Sequence, residues 1–242
     1  MPSTNPVPTR ERLIVALDVP DAESARKFVV QLGDSAVFYK IGLELFMAGG
    51  YFELLDWLVK QDKRVFVDLK FFDIPATVAA AVKQLSGMGA TFCTVHGNQS
   101  IMEAAAQAKG NLKVLAVTVL TSLDRGDLDD LGFQVDVDKL VLSRAKRALE
   151  AGCDGVVSSG MEAAKLREFI DKRLLVVTPG IRPVENRPDD DQKRAVTVEM
   201  AFQSGADYIV VGRPIRKAAD PRAAAEAIQE SIAKVFSAPA PR

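Results

Sequence analysis

Apolar runs recur along this chain with a regular spacing, at 13–18 (LIVALD), 36–42 (AVFYKIG), 64–70 (RVFVDLK), 91–96 (TFCTVH), 112–120 (LKVLAVTVL), 154–159 (DGVVSS), 173–179 (RLLVVTP) and 207–213 (DYIVVGR). Each is rich in β-branched residues and predicts a strand, and a helix-compatible segment follows each one. Strands that are apolar almost throughout suit a parallel sheet with helices covering it. About eight strand-then-helix units in roughly 240 residues predict an α/β fold of the closed (β/α)8 TIM-barrel type, with a doubly wound open sheet as the alternative. Several strands are entered through a glycine that ends the helix before it, as in GMGATFCTV, EAGCDGVVS and QSGADYIVV, because glycine accepts the left-handed φ of a helix C-cap. With no interior linker or low-complexity stretch, a single domain over residues 1–242 is expected, with short disordered tails at 1–10 and 237–242.

Composition narrows the function classes. A chain of 242 residues with 48% hydrophobic and 26% charged positions has apolar material for one sizeable core. Its 31 basic residues balance 32 acidic ones, so no electrostatic ground exists for nucleic acid or an anionic membrane as partner. Cys93 and Cys153 sit in strand-like contexts without metal-ligand spacing, which predicts buried reduced thiols and a cytoplasmic location. No apolar run approaches the roughly 18 residues of a membrane span, and the opening MPSTNPVPTR has no leader-like pattern.

In a barrel the chemistry belongs at the C-terminal ends of the strands. Read in order, those ends carry Asp18, Lys40, Asp68 with Lys70 and Asp73, His96, Thr121 with Ser122, Ser158 with Ser159, the loop from Thr178 to Arg182, and Gly212 with Arg213. The densest group is FVDLKFFDIPATV at 66–78, where strand alternation sends Asp68 and Lys70 to one face and Asp73 follows in the turn. Pro75 suits the first turn of the next helix. Asp18 shares parity with Ile14 and Ala16, and Lys40 with Ala36 and Phe38, so an alternating cluster of aspartates and lysines at the barrel mouth is expected, its charges compensating one another. A second constellation suits an anion. Gly212 and Arg213 follow the last strand, where barrels commonly hold a phosphate, and arginine offers a planar fork of donors. The stretch from Arg182 to Arg194 is long for such a connection and reads as a lid or a surface excursion.

Four segments, DLKFFDIPATV, LTS at 120–122, TPGIRP with the later DQKR, and VVGRPI, together resemble the orotidine 5'-monophosphate decarboxylase family, in its bacterial type, over nearly the whole chain. The resemblance implies a homodimer with shared active sites and metal-free conversion of orotidine monophosphate to uridine monophosphate in pyrimidine synthesis, without a cofactor. By motif it makes Lys70 the proton donor, Asp68 the carboxylate facing that of the substrate, and Asp73 with Thr77 residues contributed across the dimer. Asp18 and Lys40 match ribose-contacting positions, Lys40 also belonging to the catalytic group, and Thr121 lies in the segment that meets the pyrimidine. Arg182, Gln192, Gly212 and Arg213 match the phosphate grip.

Two other readings stay open. A phosphosugar decarboxylase of the same superfamily shares the D-x-K-x-x-D strand but uses magnesium, with an acidic ligand where this chain has Lys40. A catalytically silent nucleotide-phosphate sensor would keep Arg213 without needing an ammonium among carboxylates. His96, the only histidine, reads as a hydrogen-bonded structural residue, and Phe46, Met47 and Trp57 as core or dimer packing.

Overall fold

A computed structural model describes residues 2–181 and 196–237. Eight parallel strands form a closed barrel in sequential order: β1 (Leu13–Ala16), β2 (Phe38–Gly42), β3 (Arg64–Phe71), β4 (Phe92–His96), β5 (Lys113–Val117), β6 (Gly155–Val157), β7 (Leu175–Thr178) and β8 (Tyr208–Val211). The ring closes where β1 pairs with β8, Ile14 lying opposite Val210. All eight apolar runs of the sequence are strands, and the closed barrel, not the open sheet, is the fold.

Closure gives every strand an inner and an outer face. The outward residues join the helices in the larger core, whereas Ile14, Ala16, Phe38, Phe66, Phe92, Leu115, Leu175, Val177, Tyr208 and Val210 form a separate cluster inside the barrel. Four aromatic rings form its floor: Phe92 lies 5.1 Å from Phe38, 5.1 Å from Tyr208 and 5.9 Å from Phe66. Two residues further along the strands, the inward positions above this floor are Lys40, Asp68 and Thr94.

The N-terminal segment departs from the tail expected over residues 1–10. Ser3 Oγ and Asn5 Nδ2 both donate to Asp207 Oδ1, at 2.5 and 3.0 Å, and Val7 packs against the inner cluster from below. Asp207 is fully buried and also accepts from Arg167 Nη2 at 2.5 Å and Val176 N at 2.7 Å. Sequence pattern hides this because the partner is some two hundred residues away. At the other end the last helix, Pro221–Ser237, runs to the limit of the described residues, and the rest of the expected tail lies outside them. Cys93 and Cys153 are free and buried, and burial pushes the Cys153 thiol up to about 12.

Gly155 faces inward on β6, where an added Cβ would lie 2.5 Å from the Leu175 carbonyl oxygen and 2.9 Å from Leu115 Cδ2. The carbonyl is backbone, and Leu175 Cβ, at 2.6 Å, is fixed to that backbone, so neither can swing aside. Gly155→Ala should therefore destabilise the barrel by about 1–3 kcal/mol through overpacking. At about 2–4 °C per kcal/mol for a chain of this size, a thermal melt checks it, and an unchanged midpoint would refute it.

Candidate active site

The charged cluster stands on the sealed floor. Lys40 Nζ lies 3.1 Å from Asp18 Oδ1 and 3.7 Å from Asp68 Oδ2, while Lys70 Nζ lies 2.9 Å from Asp68 Oδ1. The row Asp18–Lys40–Asp68–Lys70 thus alternates in sign across β1, β2 and β3. Its middle is the buried part: the side chains of Lys40 and Asp68 are 13% and 14% exposed, against 47% for Asp18 and 35% for Lys70 at the two ends. Gly42 makes room for the row: an added Cβ there would meet Lys40 Nζ at 3.2 Å.

Burial opposes the charge of Asp68, but Lys40 and Lys70, with hydrogen bonds from Lys70 and Thr94, outweigh it and hold its carboxyl below the usual range. Opposite charges about 4 Å apart attract by roughly 4 kcal/mol at an effective dielectric of 20. Removing one partner of such a group leaves the others uncompensated in partial burial.

Lys70 reaches Asp68 by a route that simple alternation does not describe. From the pair Val67↔Cys93 to the pair Phe71↔Val95, β3 advances four residues while β4 advances two, so the strand bulges between them. Lys70 sits in that bulge at φ +51°. Among the described residues only Asp62 shares a positive φ on a residue with a side chain, and such a conformation costs of order 1–3 kcal/mol. Thr94 supports the bulge: its Oγ1 accepts from Lys70 N at 2.9 Å and donates to Asp68 Oδ1 at 2.8 Å.

These side chains edge a cavity of about 260 Å³ at the C-terminal end of the barrel. Asp18, Lys40, Asp68, Lys70, Thr121, Gly212 and Arg213 all line it, as does Ser122. The wall from β5 and β6 is apolar, built from Val117, Val119, Leu120 and Val157, and Pro179 and Gly180 continue the rim toward Arg213. Gly180 has φ +77°, and its carbonyl accepts from Val196 N at 3.3 Å, where the chain rejoins the barrel. Gly212 lies beside the end of the first strand, where a Cβ would be in ordinary contact with Ala16 Cβ and Asp18 Oδ2, both at 3.4 Å.

Several sequence-predicted residues lie elsewhere. Asp73 and Thr77 are exposed and do not line this cavity; Asp73 Oδ1 accepts the N–H of Ile74 at 2.6 Å. Ser158 and Ser159 are buried and turn to the carboxylate of buried Glu162. His96 Nδ1 pairs with Asn98 Oδ1 at 2.7 Å, and its ring lies 4.4 Å from that of Phe72, apart from the cavity lining. Arg182 and Gln192, with the expected lid from 182 to 194, lie outside the described residues. The residue that sequence reading missed is Thr94, although its parity with Phe92 on β4 was signal enough to place it inward.

Fold and site define a (β/α)8-barrel protein that brings lysines and aspartates together at the strand ends, beside a glycine–arginine rim suited to an anion. A model of the "Orotidine 5'-phosphate decarboxylase / HUMPS family" matches residues 11–228, and the chain belongs to that family. It is 66% identical to the orotidine 5'-phosphate decarboxylase of Methylococcus capsulatus over 98% of both chains. To the protein of that name from Stenotrophomonas maltophilia it is 52% identical, over 98% of this chain and 99% of the relative. The crystal structure of orotidine 5'-phosphate decarboxylase from Lactobacillus acidophilus superposes with a TM-score of 0.82 at 39% identity, covering 92% of this chain and 99% of that one.

The folded-state carboxyl of Asp68 titrates below its ordinary value near 3.9, so its stabilising contribution is present above that pH and is lost as pH falls through the folded-state value. Asp68→Asn should be less stable than wild type at neutral pH, and the deficit should shrink below about pH 4. Urea unfolding of both proteins across the acid range checks this. A deficit that stays constant would contradict the assignment.

Proposed function

We propose that this protein decarboxylates orotidine 5'-monophosphate to uridine 5'-monophosphate in pyrimidine nucleotide synthesis, with Lys70 as the proton donor. The observation that carries the residue assignment is the ammonium of Lys70 on the cavity wall, 2.9 Å from Asp68 and backed by Lys40. Loss of carbon dioxide from a pyrimidine carboxylate leaves an electron pair in a σ orbital of a ring carbon, with no π system to spread it. A neighbouring cation must stabilise that charge and then protonate the carbon. Lys70 suits both tasks, its ammonium held by the adjacent aspartate at the cavity wall. Asp68 faces the substrate carboxylate in this reading, and Lys40 with Asp18 takes the ribose hydroxyls.

The rest of the cavity fits the remainder of a nucleotide. Its apolar β5–β6 wall and Thr121 suit the pyrimidine, and Gly212 and Arg213 suit the phosphate. Arg182 and Gln192 complete the phosphate grip in the same reading. Binding energy from a phosphate remote from the reacting carbon can be used to order the site and exclude water. Magnesium is not needed for this chemistry, and the space between Asp18 and Asp68 that a cation would need is taken by the Lys40 ammonium. That arrangement favours the nucleotide over a magnesium-dependent phosphosugar reaction. A silent sensor would have no use for Lys70 in a strained backbone.

The working unit in this proposal is a cytoplasmic homodimer whose sites are shared, Asp73 and Thr77 entering the partner's cavity. Support comes from the apolar surface around them: Phe72 is 65% and Ile74 67% exposed, and Met47, after the neighbouring strand, is 79% exposed. Aspartate held in a turn between two exposed apolar residues is poorly explained by a monomer.

Two experiments test these roles. Lys70→Ala should nearly abolish turnover while uridine monophosphate still binds, whereas Arg213→Ala should weaken that binding by about 1.5–3 kcal/mol, the worth of a charge-assisted contact. Turnover retained in the first, or affinity unchanged in the second, would sink the corresponding role. For the dimer, Lys70→Ala and Asp73→Asn proteins are mixed, unfolded mildly and refolded together. Random exchange makes half the dimers mixed with one intact site each, so about a quarter of wild-type activity should reappear. If mixed dimers form, as a tag on one variant would show, and activity stays at the parental average, Asp73 serves its own protomer.

A further inference from the structure

Thr94 is fully buried on β4, between Phe92 of the floor and His96 at the strand end, and it does not line the cavity. Its hydroxyl lies 2.8 Å from Asp68 Oδ1 and 2.9 Å from the backbone nitrogen of Lys70. An ionised carboxylate only accepts hydrogen bonds, and an amide N–H only donates. The hydroxyl hydrogen is therefore committed to Asp68 and a lone pair to Lys70, so both contacts are satisfied in one orientation.

This matters because the β3–β4 ladder is interrupted here. The pairing jumps from Val67↔Cys93 to Phe71↔Val95, and Lys70, within the jump, has φ +51°. A regular strand residue at this place would give its N–H to a neighbouring carbonyl. Lys70 gives it to a side chain, and the same side chain orients the carboxylate with which the Lys70 ammonium pairs at 2.9 Å. One hydroxyl on the adjacent strand thus sets both ends of the lysine: where its backbone turns, and where its amine points.

We propose that Thr94 is a positioning residue for decarboxylation, acting through Lys70 and Asp68 to hold the ammonium at the reacting carbon. The inference rests on the reading of Lys70 as proton donor. In the ground state the nucleotide is held chiefly by other groups, Arg213 and the apolar wall among them, so loss of Thr94 should be felt in the chemical step more than in binding.

Thr94→Val keeps the shape and removes both hydrogen bonds, Thr94→Ser keeps the hydroxyl, and Thr94→Ala serves as a second deletion should the valine protein fold poorly. For each, kcat and KM for orotidine monophosphate and the affinity for uridine monophosphate are measured beside Lys70→Ala. The valine and alanine proteins should lose on the order of 100-fold in kcat, the cost of misplacing a reacting group by about 1 Å. Their KM and product affinity should stay within about threefold of wild type, and serine should recover most of the rate. Normal kcat in the hydroxyl-free proteins would overturn the role. So would equal loss in serine and valine, or product affinity falling in step with kcat, since each points to packing alone. Turnover surviving in Lys70→Ala would instead strike the donor assignment, a result separable from normal turnover in Thr94→Val beside an inactive Lys70→Ala.

Discussion

The ring of parallel strands imposes the constraint on which everything else in this protein depends. Once β1 pairs with β8, alternate residues of every strand are confined to the barrel axis, where space is limited and water scarce. Phe38, Phe66, Phe92 and Tyr208 use the lower part of that space as a hydrophobic plug. Lys40, Asp68 and Thr94 stand one inward step above three of those rings. The floor and the site are consecutive layers of the same strands, so the register that packs the aromatics also brings the charges together.

Placing charges directly above an apolar floor is tolerable only if they compensate one another. The alternating row does this with little help from water at its middle, where Lys40 and Asp68 are largely buried. Each lysine lies against an aspartate, and Asp68 is shared between the two lysines. The same proximity that stabilises the row keeps it reactive, because fixed charges in a poorly solvated place act on a bound molecule more strongly than they would in water. Stability and chemistry draw here on one arrangement, and a change that weakens one should be visible in the other.

Much of this was legible in the sequence, and the limits of that legibility are physical. The eight strands could be read because parallel strands in a barrel are apolar on both faces and leave uninterrupted β-branched runs. Asp18, Lys40 and Asp68 could be placed because parity within a strand is local information. Lys70 reached the expected face for a different reason than parity, through a bulge and a positive φ that no residue near it announces. Thr94 was overlooked because it lies inside its strand and not at the end, where attention to loops is drawn. The anchoring of Ser3 and Asn5 to Asp207 was out of reach, since a contact across the whole chain leaves no periodic trace. Arg182 and Gln192 belong to residues that the structure does not describe, and motif likeness alone places them.

The turn after β3 brings these threads to one place. Its first part is bent by the bulge that aims Lys70 into its own barrel, and its next residues, Phe72 to Ile74, are directed outward with two large apolar side chains exposed. A strand that simply continued its alternation would serve one site only. The bulge lets a short run of residues face inward at Lys70 and outward at Asp73, and the backbone strain at Lys70 has a purpose if the two directions serve two copies of the same site. A shared site also ties activity to assembly, because a protomer alone would hold the ammonium without the second aspartate that the proposed reaction uses. In that view the hydrogen bonds of Thr94 do more than steady one lysine. They fix the point at which the chain turns from the interior of its own barrel to the exposed apolar surface of Phe72 and Ile74.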